Sequence, residues 1–408
     1  MPYAHRAIHD ADAHFVETPD WFHAHADPDV RAKLPKSVVS GVAPGEEGLI
    51  EKLRARHADP SYRADDEAKI LERKNWSATG SFIAQDRPRA LDLLGFQSQL
   101  VFNTFVNGRL LAAERGRDLD FAYGFARAHN RSMLAFCAED PRLLATGYVP
   151  LRDFGRARAM AREVIDQGCH ALLVASGCPR GHAPSHRDLD PVWAQAEEAG
   201  LPIVFHVGGG TRLADGLLLD PDYFENGGPP VADFHGGDEN FRSVDYMAIP
   251  TAPMQTLATL IFDGVLDRFP KLRFGVIEQG ASWIPSWIRF MESSFEAFRK
   301  REERLQKLAL RPADYVRRQI RATPYPAEDV GWTIAQSFDE VCLFSSDYPH
   351  VEGGRQPIQR FERSLAAATE VQKQRFYFDN FVDLMGEGLP APLPRRVEQV
   401  GPRVAGLL

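Results

Sequence analysis

Four short apolar segments of the sequence carry side chains that can bind a divalent metal ion. These side chains are Asp10, Asp12 and His14 in the first segment, His206 in the second, Glu278 in the third and Asp347 in the fourth. Imidazole and carboxylate groups suit Zn²⁺ or Mn²⁺, and the absence of a thiolate among them disfavours copper and iron–sulfur sites. Each group alone could be a core histidine or a helix-capping aspartate. Their recurrence in four such segments indicates a metal site.

These residue types also suggest how such a site would act. In a strand, alternation places Asp10, Asp12 and His14 on one face. Asp12, His14 and His206 would hold the ion and leave a position open for water or a substrate oxygen. The ion would lower the pKa of bound water or polarise a substrate carboxylate.

Two carboxylates are predicted to be catalytic. Asp347, beside the cation, would stay ionised and transfer a proton. Glu278 is predicted to be either a further ligand or a second base. The residues themselves leave both roles of Glu278 open.

Two further histidines are candidates for substrate binding. His350 follows Asp347 by three residues and could bind a substrate anion. His235 lies in a segment rich in Gly, Pro and Asp that could cover the site. A structural role is the alternative for both.

The metal-capable residues belong to a pattern of apolar segments alternating with amphipathic ones. Apolar segments of this kind are typical of strands buried on both faces of a parallel sheet. The segment at 317–325 is the least typical, because its arginines would be unusual in a barrel interior. Helices are predicted between the strands, at 118–137, 153–167, 188–199, 252–267, 282–308, 326–337 and 357–385. The predicted strands lie at 7–15, 98–106, 143–151, 170–176, 201–207, 272–279, 317–325 and 340–348.

Eight strands with intervening helices predict an α/β fold, a (β/α)8 TIM barrel whose site lies at the carboxyl ends of the strands. A helical insertion at 27–97 follows the first strand, and a long loop insertion at 208–250 follows the fifth. We expect residues 1–386 to form a single barrel domain and residues 387–408 to form an extended C-terminal arm. A long loop inside a compact barrel is often a lid over a site.

Composition narrows the class of protein further. The 408 residues carry a formal net charge of −8, which argues against binding to a nucleic-acid backbone. No apolar run of 18 residues is present, so no membrane span is expected. Neither a secretory leader nor a CxxC cysteine pair is visible, and we therefore expect a cytoplasmic protein with reduced thiols.

Four motifs carry a resemblance to a known family. They are the D-x-D-x-H start at 10–14, FHVGGG at 205–210, FDGVLDRFPKLRFGVIEQGASWIP at 262–285 and SSDYPH at 345–350. Together they resemble the amidohydrolase-related, metal-dependent hydrolases and decarboxylases of the aminocarboxymuconate-semialdehyde decarboxylase and γ-resorcylate decarboxylase type. The resemblance covers about residues 7 to 385, which is most of the chain.

This resemblance implies roles for particular residues. Asp12 and His14 match the metal-binding pair of the first strand, and His206 matches the ligand of the fifth. Asp347 matches an aspartate that contacts the metal and transfers protons. Glu278 stands where the best-studied decarboxylases have a histidine, a departure that favours water chemistry.

The resemblance also implies a reaction class. We expect an enzyme that acts on a small carboxylated aromatic or ring-cleavage compound, by hydrolysis or by non-oxidative decarboxylation. Zn²⁺ is the expected cofactor, with Mn²⁺ as the alternative, and a homodimer is the expected assembly. A catalytically inert barrel that serves as a binding or assembly module is the competing hypothesis.

Overall fold

In the described part of the chain, seven parallel strands form one sheet, and their order in the sheet is their order in the sequence. The computed structural model describes residues 6–34, 48–208, 227–229 and 243–396. The strands are β1 (His9–Phe15), β2 (Ser98–Asn103), β3 (Leu143–Tyr148), β4 (Ala171–Leu173), β5 (Ile203–His206), β6 (Phe274–Ile277) and β7 (Ile320–Ala322). Every strand residue is buried, as expected for a parallel sheet covered by helices.

The predicted eighth strand, 340–348, bonds to both edges of this sheet without forming a regular strand. At one edge, the Leu343 amide donates to the carbonyl of Ala322 in β7 over 2.9 Å. At the other, the Asp347 amide donates to the carbonyl of Asp12 in β1, also over 2.9 Å. The curled parallel sheet confirms a TIM-like α/β fold.

Helices connect the strands. In chain order they are α1 (Pro28–Arg31), α2 (Leu49–Ala58), α3 (Pro60–Ala64), α4 (Asp66–Lys69), α5 (Arg87–Leu94), α6 (Asn107–Arg115), α7 (Leu119–Cys137), α8 (Phe154–Asp166), α9 (Asp190–Ala199), α10 (Ser243–Ala248), α11 (Thr251–Phe262), α12 (Val265–Arg268), α13 (Ile284–Phe298), α14 (Glu303–Gln306), α15 (Pro312–Gln319), α16 (Val330–Gln336), α17 (Pro357–Ser364), α18 (Glu370–Gln374) and α19 (Asn380–Met385). Short 3₁₀ turns lie at Asn75–Ser77, Ala84–Asp86, Arg187–Leu189 and Gly386–Gly388, and a π-helical turn lies at Arg375–Asp379.

The predicted helices at 118–137, 153–167 and 188–199 are confirmed as α7, α8 and α9, whereas three other predicted helices are wrong in extent. The helix predicted at 252–267 divides into α11 and α12 at Gly264, whose φ of 69° interrupts the helix. The regions 282–308 and 357–385 likewise contain several shorter helices. Apolar periodicity predicts which face is buried, but it does not reveal where the backbone changes direction.

The arginines of the 317–325 segment have local explanations. Arg317 and Arg318 belong to the last turn of α15, so only three residues of the predicted strand form β7. Arg321 is buried, and its guanidinium donates to Asp383 Oδ2 over 2.6 Å. The charge that made this segment atypical is therefore neutralised by a partner on α19.

The predicted insertions lie partly within the described residues. The described part of 27–97 contains helices α1 to α5, in keeping with a helical insertion. Most of 208–250 lies outside the described residues, although 243–248 forms helix α10 rather than loop. Of the predicted arm, 397–408 also lies outside them, and the division of the chain into a barrel domain and an arm stays a prediction. No helix among the described residues is long and apolar enough to cross a membrane.

Candidate metal centre

Four predicted metal-site residues converge at the carboxyl ends of the strands. Asp12, His14, His206 and Glu278 each offer one ligand atom, and these atoms all lie within 4.8 Å of one another. Asp12 Oδ1 lies 3.2 Å from His14 Nε2 and 3.4 Å from His206 Nε2. Glu278 Oε2 lies 3.1 Å from His206 Nε2. Because the strands are parallel, residues that end β5 and follow β6 reach the same end of the sheet as β1.

Asp347 and His350 join the same cluster. Together with His14 and Glu278 they form a second group whose ligand atoms lie within 4.8 Å of one another. Asp347 Oδ1 lies 3.4 Å from His14 Nε2. The structure thus brings together the residues predicted for the site except Asp10, described below, and His235, which lies outside the described residues.

Asp10 does not belong to either group, although alternation places it on the same face of β1. Its Oδ1 accepts from the Ser346 amide at 2.8 Å, and its Oδ2 accepts from the Ser346 hydroxyl at 2.6 Å and from Gln99 Nε2 at 2.8 Å. Two residues span about 7 Å along a strand, so Asp10 reaches a deeper layer than Asp12. Its carboxylate fastens β1 to the segment that carries Asp347.

Unpartnered atoms at the centre fit a bound cation. His14 Nε2, Asp12 Oδ2 and Asp347 Oδ1 are buried and have no hydrogen-bond partner among the described residues. Buried polar atoms without partners cost free energy, and a divalent cation would satisfy all three. His14 Nδ1 lies 2.8 Å from the Asn103 carbonyl, to which it donates, and the lone pair of Nε2 therefore faces the cluster.

The backbone is strained at two of the carboxylates. Glu278 and Asp347 both have a φ of 53°, a backbone conformation that residues other than glycine rarely adopt. The Glu278 amide donates to Thr323 Oγ1 at 2.7 Å, and its carbonyl accepts from the Tyr325 hydroxyl at 2.7 Å. Such strain persists only where neighbouring contacts enforce it, and it concentrates at functional sites.

Burial and mutual repulsion shift the pKa values of these carboxyl groups. Burial, with the nearby Asp347 charge, raises the pKa of Glu278 to about 8. Burial and the charge of Asp12 raise the pKa of Asp347 well above its ordinary value. Burial also acts to raise the pKa of Asp12, but the close contacts with His14 and His206 outweigh it and lower that pKa. A divalent cation would relieve the repulsion among the three carboxylates.

The two histidines of the first cluster differ. Burial, helped by the nearby His350, lowers the pKa of His14 to about 3, so the ring is neutral and free to act as a ligand. Burial also acts to lower the pKa of His206, but hydrogen bonds to Asp12 and Glu278 raise it above its ordinary value. A metal ion would take the position of the proton that these carboxylates favour.

Sequence reasoning missed the residues that orient the imidazoles. They lie in the 103–107 segment, which follows β2 and begins α6. The Asn103 carbonyl accepts from His14 Nδ1, and the Val207 carbonyl lies 3.0 Å from His206 Nδ1 and accepts from it when Nε2 is the ligand atom. Asn107 Nδ2 donates to the same Val207 carbonyl at 3.0 Å, so Asn107 holds the acceptor that orients His206. The available signal was Asn107, a polar residue just after a predicted strand, whereas Asn103 contributes only its backbone carbonyl, which no residue type marks. Alternation did not reveal which histidines they face.

We expect Asn107→Ala to weaken Zn²⁺ binding by about 10- to 100-fold, because groups that orient a ligating histidine typically contribute this much. Affinity would be measured by competition with a chromogenic chelator. Asn380→Ala is the matched control, since Asn380 is also buried and donates to two backbone carbonyls, those of Asp339 and Cys342. An equal loss of affinity in both variants would contradict the orienting role.

Solved structures share this fold across nearly the whole chain. An amidohydrolase from Mycobacterium avium subsp. paratuberculosis is 22% identical, with a TM-score of 0.68 over 93% of this chain and 99% of that one. A 5-carboxyvanillate decarboxylase from Novosphingobium aromaticivorans, solved with manganese and 4-hydroxy-3-methoxy-5-nitrobenzoic acid, is 18% identical, with a TM-score of 0.61 over 93% and 96%. A 2,6-dihydroxybenzoate decarboxylase from Rhizobium is 16% identical, with a TM-score of 0.60 over 93% and 98%.

Sequence comparisons, unlike the shared fold, bear on the family to which the chain belongs. None of the curated protein sequences matches the chain significantly. The sequence profile of the amidohydrolase family, however, matches residues 9–380, which include all six clustered residues. The chain therefore belongs to the amidohydrolase family of enzymes.

Proposed function

We propose that this chain is a divalent-metal enzyme that decarboxylates a small carboxylated aromatic compound without an oxidant. The observation that carries the proposal is the buried cluster of Asp12, His14, His206 and Glu278, whose ligand atoms lie within 4.8 Å of one another. Two of its atoms, Asp12 Oδ2 and His14 Nε2, have no hydrogen-bond partner among the described residues. A competent metal site at the carboxyl ends of the strands is where a TIM-like fold performs chemistry.

The substrate class is supported by the solved structures of the same fold. Two of them are decarboxylases of hydroxylated benzoic acids, and one was solved with manganese and a substituted benzoic acid. Members of one fold can catalyse different reactions. The likeness therefore supports the substrate class only in combination with the residues of the centre.

Each residue of the centre has a proposed task. Asp12, His14, His206 and Glu278 would hold the ion, which when bound supplies positive charge that orients and polarises a substrate carboxylate. Asp347 would deliver a proton to the ring carbon as its bond to the carboxylate carbon breaks and CO₂ leaves. One proton is consumed for each CO₂ released.

Hydrolysis is the second candidate, and Glu278 is the residue that favours it. Its carboxylate is buried in the cluster and lies 3.1 Å from His206 Nε2, where it could accept a proton from a water molecule held at the centre. In this version water attacks a substrate carbonyl, Glu278 or Asp347 accepts the proton, and the leaving group receives it.

Product analysis in buffered D₂O distinguishes the two reactions. With a panel of hydroxylated benzoic acids and the Zn²⁺- or Mn²⁺-loaded enzyme, decarboxylation releases CO₂ and leaves one deuterium at the vacated carbon. Absence of either signal across the panel would remove the decarboxylase. Incorporation of ¹⁸O from labelled water into a carboxylate product of ester or lactone substrates would instead identify the hydrolase.

The inert-barrel hypothesis has a separate test. Elemental analysis of the purified protein would support it if metal were far below one ion per chain, with no gain after incubation with Zn²⁺ or Mn²⁺. The expected result is one ion per chain, since three buried atoms of the centre are unpartnered.

Several finer expectations stay predictions. Zn²⁺ is proposed ahead of Mn²⁺, because two imidazoles with carboxylates form a common zinc ligand set. The 340–348 segment is proposed to take the eighth strand position of a closed barrel, since it forms hydrogen bonds with both β1 and β7. A homodimer, a cytoplasmic location, and substrate contact by His350 and His235 are likewise proposed from the sequence.

A further inference from the structure

Arg87 begins helix α5 in the predicted helical insertion, and its side chain is fully buried. Its Nη1 donates to the carbonyl of His14 at 2.8 Å and to that of Gly80 at 3.3 Å. Its Nε donates to Gln99 Oε1 at 3.1 Å. Burying a guanidinium is costly unless hydrogen bonds compensate, so these acceptors fix where the side chain lies. One of the acceptors is the backbone of a residue of the metal centre.

The contact with Arg87 determines how the side-chain amide of Gln99 is oriented. An arginine can only donate, so the amide oxygen must face Arg87 and the amide nitrogen faces the other way. Gln99 Nε2 donates to Asp10 Oδ2 at 2.8 Å, and the two residues lie opposite each other in the pairing of β2 with β1. A reversed amide would direct its oxygen at the Asp10 carboxylate and its nitrogen at the guanidinium. Arg87 therefore fixes Gln99 as a donor to Asp10.

The carboxylate of Asp10 bonds to backbone beside two residues of the metal centre. Its Oδ1 accepts from the amide of Ser346 at 2.8 Å and from that of Asp12 at 3.3 Å. Its Oδ2 also accepts from the Ser346 hydroxyl at 2.6 Å. Asp12 belongs to the first cluster, and Ser346 directly precedes Asp347. Asp10 thus holds both pieces of backbone, although it belongs to neither group of possible ligands.

The backbone of the centre is irregular at these two places. The pairing of β1 with β2 changes register between Asp10 and Ala13, an interval that includes Asp12. On the other side, Asp347 has a φ of 53°. Irregular or strained backbone persists only where neighbouring contacts enforce it. The bonds of Asp10 to the amides of Asp12 and Ser346 are contacts of this kind.

We propose, building on the metal centre of the proposed function, that Arg87 is a positioning residue that acts through Gln99 and Asp10 to hold the carboxylates of the centre in the arrangement that the metal ion requires. By its bond to the His14 carbonyl, Arg87 also acts directly on the backbone of a ligand. The helical insertion thereby takes part in the metal centre, because it is the source of Arg87.

Zn²⁺ affinity tests this role without any substrate. We expect Arg87→Met to weaken Zn²⁺ binding by about 10- to 100-fold, because groups that orient metal ligands typically contribute this much. Arg321→Met is the matched control, since Arg321 is the other buried arginine of the described chain and bonds to Asp383 and to nearby carbonyls, none of them in the centre. Equal losses in the two folded variants would overturn the proposal.

Ser346→Ala makes a smaller change, and it decides the question if Arg87→Met does not fold. The variant loses the hydroxyl bond to Asp10 and keeps the bond of the amide. We expect Zn²⁺ affinity to fall by about 10-fold. Ser98→Ala is the control, since the buried Ser98 hydroxyl also joins β1 to β2, by its contact with His9 Nδ1 at the amino ends of these strands. An affinity of Ser346→Ala equal to that of Ser98→Ala would overturn the proposal.

The visible absorption of bound Co²⁺ separates positioning from general stability. A loss of stability alone leaves the absorption of the folded, Co²⁺-loaded protein unchanged, whereas displaced ligands change the geometry around the ion. We expect the bands to shift in Ser346→Ala and in folded Arg87→Met, and to coincide with those of the wild type in Ser98→Ala and Arg321→Met. Unshifted bands in Ser346→Ala would overturn the positioning role.

Failure of this proposal and failure of the proposed function are distinguishable, because neither measurement uses a substrate. If no substrate in the panel reacts while Zn²⁺ affinity and the Co²⁺ bands change as expected, the proposed function fails and the role of Arg87 stands. If a substrate reacts but the variants bind Zn²⁺ like their controls, the proposed function stands and the role of Arg87 is wrong. A wild-type protein that binds neither ion would overturn both.

Discussion

His206→Ala is expected to abolish Zn²⁺ binding and turnover together. His206 contacts two carboxylates of the cluster from different strands, since its Nε2 lies 3.4 Å from Asp12 Oδ1 and 3.1 Å from Glu278 Oε2. Its removal takes away one of the two imidazoles of this cluster and leaves carboxylates that repel one another. We expect affinity to fall by more than about 100-fold, beyond the typical cost of losing only an orienting group.

The measurement is elemental analysis of the purified variant combined with titration of Zn²⁺, followed by turnover on any substrate found in the panel. His9→Ala is the matched control. His9 is a buried histidine at the opposite end of β1 from His14, bonded to Ser98 Oγ and to the Pro394 carbonyl. Full metal content in His206→Ala, or an equal loss in His9→Ala, would contradict the assignment of His206.

Asp347→Asn is expected to reduce kcat by about 10²- to 10⁴-fold while the fold and the bound metal are retained. An amide has almost the shape of a carboxyl group but cannot release a proton to a ring carbon or accept one from water. The ion should remain, because Asp12, His14, His206 and Glu278 form their cluster without Asp347.

Two measurements check this result, the metal content of Asp347→Asn and its kcat under saturating substrate. Asp140→Asn is the control, since Asp140 is also buried but lies just before β3, at the other end of the sheet, where it pairs with Arg142. Wild-type turnover of Asp347→Asn in a preparation free of contaminating enzyme would remove Asp347 from proton transfer. Loss of the metal in this variant would instead identify Asp347 as an essential ligand.

The agreement between sequence and fold is best at the buried strands. Apolar segments such as LPIVFHV at 201–207 predicted β5, and β5 is buried throughout. Agreement is weaker at the edge of the sheet. The 340–348 segment has the composition of a strand, yet it bonds to β7 and β1 through isolated bridges. An apolar composition predicts that a segment is buried, whereas regular hydrogen bonding between strands also depends on the register that both neighbouring strands impose.

Local sequence patterns were enough to predict which side-chain types cluster and at which end of the sheet they meet. Asp12, His14, His206 and Glu278 accompany buried strands, and parallel strands bring their carboxyl ends together whatever the details of packing. Predicting this convergence needs only the apolar pattern of each strand and the rule that parallel strands have their carboxyl ends on the same side. Asp347, which follows the apolar segment at 340–346, was predicted in the same way.

The orientation of these groups, in contrast, could not be predicted from local patterns. The bond of Ser346 to Asp10 joins residues 336 positions apart, and that of Asn107 to Val207 joins residues 100 apart. A serine or an asparagine after an apolar segment has many possible partners, and the choice among them follows from strand register and side-chain packing. These are properties of the whole fold, since each hydrogen bond depends on where a distant strand places its partner.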